Sequence, residues 1–115
     1  MLYGPQPSMP ASPLAVQLHD ARRSGTMCDV VFVADGREFH AHKAVVSARS
    51  AVFHSMFGST FLEARDGRAV IEGVSANAFD KFLEFLYLDH ISDWGELELE
   101  LLQLADRYMV DHLKV

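Results

Sequence analysis

Cysteine is nearly absent: with Cys28 as the single thiol in 115 residues, no internal disulfide can form. A secretory signal is also missing, because Met1 to Ser12 is Pro-rich and lacks a basic stretch followed by an apolar run. Together these point to a reducing, intracellular compartment, nuclear or cytoplasmic. No segment approaches the roughly 18 consecutive apolar residues that a membrane span needs. Basic charge is scarce, 10 Lys and Arg against 16 Asp and Glu, and the net charge of -6 opposes a phosphate backbone, so nucleic-acid binding is not expected. Proline is confined to Pro5, Pro7, Pro10 and Pro13. What is present is a chain 50% apolar and 23% charged, the size of one globular domain. Such a chain buries roughly two-thirds of its unfolded surface and needs neither disulfide nor structural metal.

Residues 1–11 make a poor helix and a poor strand and read as a mobile tail. Ser12 offers an N-cap oxygen and Pro13 suits a first helical position, so a helix is expected over 13–24, stopped by Gly25. Its apolar face is Leu14, Ala15, Leu18 and Ala21. The run from Cys28 to Ala34 is apolar except at Asp29 and predicts a strand covered on both sides. Asp35-Gly36 then supplies a two-residue hairpin turn and Arg37 to His42 the returning strand. Lys43 to Phe57 has helical apolar spacing interrupted near Ser50, fitting two short helices or one kinked helix. Gly58 to Gly67 reads as a loop and Arg68 to Glu72 as a third strand. Ser75 caps an amphipathic helix over 76–89 carrying Phe79, Phe82, Leu83, Leu86 and Tyr87. The period-two run Glu96 to Leu101 looks strand-like, but its strong helix formers and the continuing helical spacing to Tyr108 predict a helix over 97–109. Asp111 is expected to cap one further helix.

Catalytic and cofactor chemistry finds little footing. His40 and His42 stand at i, i+2 on a predicted strand without a third ligand, so no metal is expected. No Gly-x-Ser-x-Gly elbow is present, and Asp35-Gly36 and Asp66-Gly67 are turns, not phosphate cradles. The chain is therefore read as a non-enzyme with no cofactor and no small-molecule substrate. Asp29 needs a partner, for which Lys43 is the candidate; an internal ion pair and a charged subunit contact both fit. The loop residues Phe61 and Leu62, beside Glu63, suit either a partner anchor or a loop tucked onto its own core.

The segments Cys28-Asp29-Val30-Val31-Phe32-Val33, Phe39-His40-Ala41-His42-Lys43, Ser47-Ala48-Arg49-Ser50-Ala51-Val52-Phe53 and Met56-Phe57 together resemble the BTB/POZ domain. Phe79 to Tyr87 resembles the family's Phe-x-x-x-Leu-x-Phe-x-Tyr helix, and Leu101 to Tyr108 its Leu-Leu-x-x-Ala-Asp-x-Tyr helix. The resemblance covers residues 12–115 and is closest in pattern to the speckle-type MATH-BTB ubiquitin-ligase adaptors. It implies an α+β fold, a helical cluster flanked by a short three-stranded sheet, ending at Val115 ahead of the family's last helices. It also implies a homodimer with an interface at Leu14, Ala15, Leu18, Ala21, Asp29 and Lys43, the family's charged pair falling on the last two with Lys where Arg is commoner. Cullin-3 docking would use the hydrophobic-x-Glu site Phe61, Leu62 and Glu63, with Tyr87 and Tyr108 on the neighbouring helices. Two departures stand out. The usual Tyr-Thr-Gly reads Tyr87-Leu88-Asp89, and the Pro-rich start is a poor match to the swapped N-terminal strand of zinc-finger repressors. A dimeric transcription-regulatory or scaffolding module that binds a corepressor peptide is the alternative. A channel-type tetramerisation domain is weakened by the lack of a His/Cys zinc cluster.

Overall fold

The structure, a computed structural model, describes residues 12–58 and 67–110. Helix α1 spans Pro13–Ser24. Ser12 Oγ accepts the Ala15 amide, Pro13 opens the first turn, and Gly25 closes the helix with a left-handed φ of 76°. Strand β1 (Val30–Ala34) turns at Asp35 and Gly36, both at positive φ, into antiparallel β2 (Arg37–Ala41). Helices α2 (Lys43–Arg49) and α3 (Ala51–Phe57) follow, then β3 (Arg68–Ile71), α4 (Ala76–Leu88) and α5 (Glu98–Arg107). The break expected near Ser50 is real. Ser50 takes extended backbone angles, and its Oγ caps α3 at the Phe53 amide while donating to the Tyr108 carbonyl. One residue thus separates the two helices and ties their junction to the end of α5.

Strand β3 pairs parallel with β1 on the edge away from β2, giving the order β2-β1-β3. Register puts Phe32 beside Phe39 and Ala69, and Ala34 beside Ile71, so one sheet face is fully buried against the helices. The other face is not closed. Val31 and Val33 are only half-buried, which corrects the expectation of a strand covered on both sides. The core is aromatic. The Phe32 ring lies 5.1 Å from Phe53, 5.9 Å from Phe57 and 5.3 Å from Phe79, and Phe53 stacks on Tyr108 at 4.4 Å.

Several boundaries shift. The first strand starts at Val30, not Cys28, and the second ends at Ala41, because His42 becomes the N-cap of α2. The third strand and α4 each end one residue early, and α5 is shorter at both ends. The Glu-Leu alternation is helical, since only Leu101, Leu104 and Ala105 of α5 turn fully inward. Asp89 replaces the family's glycine yet adopts the required left-handed φ of 65°, which an Asp tolerates better than most side chains. Its carboxylate pairs with Arg49 across to α2. The predicted tail over 1–11 and the helix capped by Asp111 lie outside the described residues.

Candidate functional site

Helix α1 turns the usual arrangement around. Its buried side chains are His19 and Arg22, 8% and 4% exposed, whereas Leu14 is 66% and Val16 41% exposed. Leu14, unlike Val16, borders an apolar groove, and a leucine left in water there calls for a partner more than for the chain's own packing. Leu14, Ala15 and Leu18 line one wall of an open groove of about 340 Å³, and Ala44, Val45, Ala48, Leu86 and Tyr87 form the rest of its apolar lining. The paired Arg49 and Asp89 add charged groups to its lining. Ala21, expected on the same face, lies off the groove near the helix end, where its carbonyl accepts the Thr26 amide and the Ser24 hydroxyl. The groove residues on α2 were missed in the sequence, although Ala44 and Ala48 form an i, i+4 pair of small residues on one helix face.

Beneath the groove floor lies a connected polar layer. Arg22 Nη2 stands 2.8 Å from His19 Nε2 and 3.6 Å from Asp80 Oδ1, and its guanidinium sits 5.7 Å over the Tyr87 ring. Tyr87 Oη accepts the His42 amide at 2.9 Å and lies 2.7 Å from His42 Nδ1, while His42 Nε2 reaches the Thr26 carbonyl at 3.0 Å. A carbonyl only accepts, so Nε2 carries the ring proton and Nδ1 takes the phenolic one. Every polar atom of the Tyr87–His42 pair is then matched. Burial pushes the Tyr87 phenol up to about 12. Cys28 Sγ, 3.6 Å from His42 Nε2, is held above its ordinary value by burial and by Asp29. That keeps it a thiol, not a nucleophile.

The remaining candidate residues fall as follows. Asp29 is exposed and precedes β1, and its Oδ1 accepts the Lys43 main-chain amide at 2.7 Å. It thereby satisfies the first turn of α2, where His42 supplies no side-chain cap. The Lys43 ammonium lies 5.8 Å over the Phe57 ring. Tyr87 and Tyr108 are 7% and 3% exposed, so both are built into the core, and Tyr87 also contributes to the lining of the groove. His40 is exposed on the sheet and His42 is turned inward, so the two do not converge. Among the described residues, no three His, Cys, Asp or Glu side chains gather as metal ligands. Phe61, Leu62 and Glu63 lie outside the described residues.

Comparison with known proteins agrees with this architecture. The chain is 31% identical over 114 residues to Armadillo BTB Arabidopsis protein 1 of Arabidopsis thaliana, covering 97% of this chain. It spans only 16% of that relative's length. The BTB domain of zebrafish PATZ1 superposes with a TM-score of 0.71 at 28% identity, covering 84% of this chain and 77% of that one. The family model of the BTB/POZ domain matches residues 18–115. With a three-stranded sheet against five helices among the described residues and a family match across most of its length, the chain belongs to the BTB/POZ domain family, a class of protein-interaction modules.

Proposed function

We propose that this domain self-associates through the α1 groove and acts as a cullin-3 adaptor in a ubiquitin ligase, with substrate recruited by other domains of the same protein. The observation that carries the reading is the outward apolar face of α1: Leu14, Ala15 and Leu18 border a groove that a second copy fills with the same side chains. A two-fold contact of this kind is self-complementary, since each copy offers both the ridge and the groove. The Phe61-Leu62-Glu63 motif supports the cullin-3 part by its sequence, an aromatic side chain of the anchoring type followed two residues on by a carboxylate. The motif pattern favours the speckle-type MATH-BTB adaptors. The Arabidopsis relative is named for an armadillo unit joined to a BTB domain, which supports the broader idea of a BTB module carried beside another domain.

Calorimetric titration with the cullin-3 N-terminal region tests the reading. Binding is expected at one cullin per BTB chain, and Phe61→Ala is expected to weaken it by roughly 30-fold, since an anchor lost to Ala costs about 2 kcal/mol or more. No binding by the wild-type chain, or equal affinity for wild type, Phe61→Ala and Glu63→Ala, moves the reading to a corepressor-binding or scaffolding dimer.

A further inference from the structure

We infer that the His19–Arg22 contact makes the docking of α1 on α4 sensitive to pH: the helix is held while the imidazole is neutral and loosened when it gains a proton.

The geometry sets the proton position. A guanidinium only donates, so at 2.8 Å from Arg22 Nη2 the His19 Nε2 must offer its lone pair, leaving the ring proton on Nδ1. Both side chains are buried, and Arg22 Nε has no hydrogen-bond partner among the described residues. Arg22 therefore depends on three supports: the His19 lone pair, the Tyr87 ring and the Asp80 carboxylate at the longer distance of 3.6 Å. Protonation removes the first of these. It replaces an acceptor with an N–H facing another N–H, and sets a second positive charge against the first in a buried place.

The surrounding groups do not offset that change. On α1, Arg22 and Arg23 disfavour the imidazolium and Asp20 favours it. From α4, Glu84 favours it, but Lys81 Nζ already lies 3.6 Å from Glu84 Oε1, and Asp80 is directed to Arg22. The Tyr87 ring, 5.9 Å away, is neutral. On the β2 side His42 and Cys28 are occupied with Tyr87 Oη and the Ala21 and Arg22 carbonyls. Burial and the two arginines win, so His19 titrates below its ordinary 6.5. The sign follows. The docked state binds fewer protons than the undocked one, so the stabilisation is complete above about pH 6.5 and is lost as pH falls below it. One consequence rests on the proposed self-association: an α1 that lifts off carries Leu14 and Leu18 away from the groove, so the dimer would weaken over the same range.

The test is hydrogen exchange of α1 amides in the intact chain, expressed as protection relative to intrinsic rates at each pH. A ring 15N spectrum of His19 accompanies it. His19 is expected as the Nδ1–H tautomer, and α1 protection is expected to fall by up to about tenfold between pH 7.5 and 5.5, the limit for one proton excluded from the docked state. His19→Gln keeps an acceptor without a titrating group, and its α1 protection is expected to be the same at both pH values. An Nε2–H tautomer, a His19 midpoint at or above 6.5, protection equal at the two pH values in the wild type, or the same loss in His19→Gln would overturn the inference. Should His19→Gln not fold, the wild-type tautomer and midpoint decide alone. Neither readout depends on self-association, which sedimentation reports separately.

Discussion

Helices α1 and α4 lie against each other and use their apolar residues in opposite ways. In α4 the periodic side chains Phe79, Phe82, Leu83 and Leu86 all face the core, and the helix is held mainly by burial. In α1 the periodic side chains Leu14, Ala15 and Leu18 face the groove, while the two buried residues are His19 and Arg22. Periodicity therefore reveals that a helix has an apolar face. It does not reveal whether the same chain covers that face: in α1 Leu18 packs in part against the core, while Leu14 stays exposed beside the groove.

This contrast can be tested by substitutions of decreasing expected effect. Phe79→Ala removes a ring packed against Phe32, Phe39 and Phe82 and is expected to cost about 3–5 kcal/mol in urea unfolding, enough to leave a small domain marginal. Tyr87→Phe keeps the ring but leaves the His42 amide and Nδ1 without the phenol, at an expected cost of about 1–3 kcal/mol. The same phenol gives an alkaline signature. Its folded-state value is raised above the unfolded 10, so its share of stability is complete below pH 10 and is lost as pH rises toward 12. Tyr87→Phe is expected to flatten that loss in melting curves taken across the range. Ser75→Ala deletes the cap on the Ala78 amide and the hydroxyl's bond to Glu100 Oε1, while the residue 75 main-chain amide still donates to Glu100 Oε2, so the cost is about 1 kcal/mol. Val16→Ser, on the exposed side of α1 and off the groove, is expected to change stability by less than about 0.5 kcal/mol and to leave the association state unchanged. A large effect there would mean that all of α1 is covered, and the distinction between its two faces would fail.

Much of the fold was legible because local chemistry and tertiary packing agree. Ser12-Pro13, Asp35-Gly36 and Ser75 each carry a turn or cap preference strong enough to act without context, and the structure places all three as expected. The Ser50 break was legible as an interruption, but its bond to the Tyr108 carbonyl joins residues far apart in sequence and leaves no local trace. The site was less legible for the same reason. Asp29 and Lys43 were paired by charge, whereas the contact runs from the carboxylate to a main-chain amide, a donor every residue but proline possesses. Tyr87 and Tyr108 carry the family pattern, and pattern alone does not tell a surface phenol from a buried one. His19 and Arg22 sit at i, i+3 along the flank of the apolar stripe, four residues after Ala15 and Leu18, where polar side chains usually reach solvent; the approach of Asp80, Glu84 and Tyr87 from α4 makes the position interior.

Sedimentation velocity at micromolar concentration, run on the wild-type chain and on Leu14→Asp, tests the availability of the α1 face most directly. Leu14 is mostly exposed in the single chain, so an aspartate there leaves the fold intact while placing a charge in the self-complementary contact. The wild type is expected at about twice the 12.9 kDa chain mass and Leu14→Asp at the single-chain mass with an unchanged far-UV spectrum. A wild type that stays at the single-chain mass, or a folded Leu14→Asp that sediments with the wild type, would contradict the account.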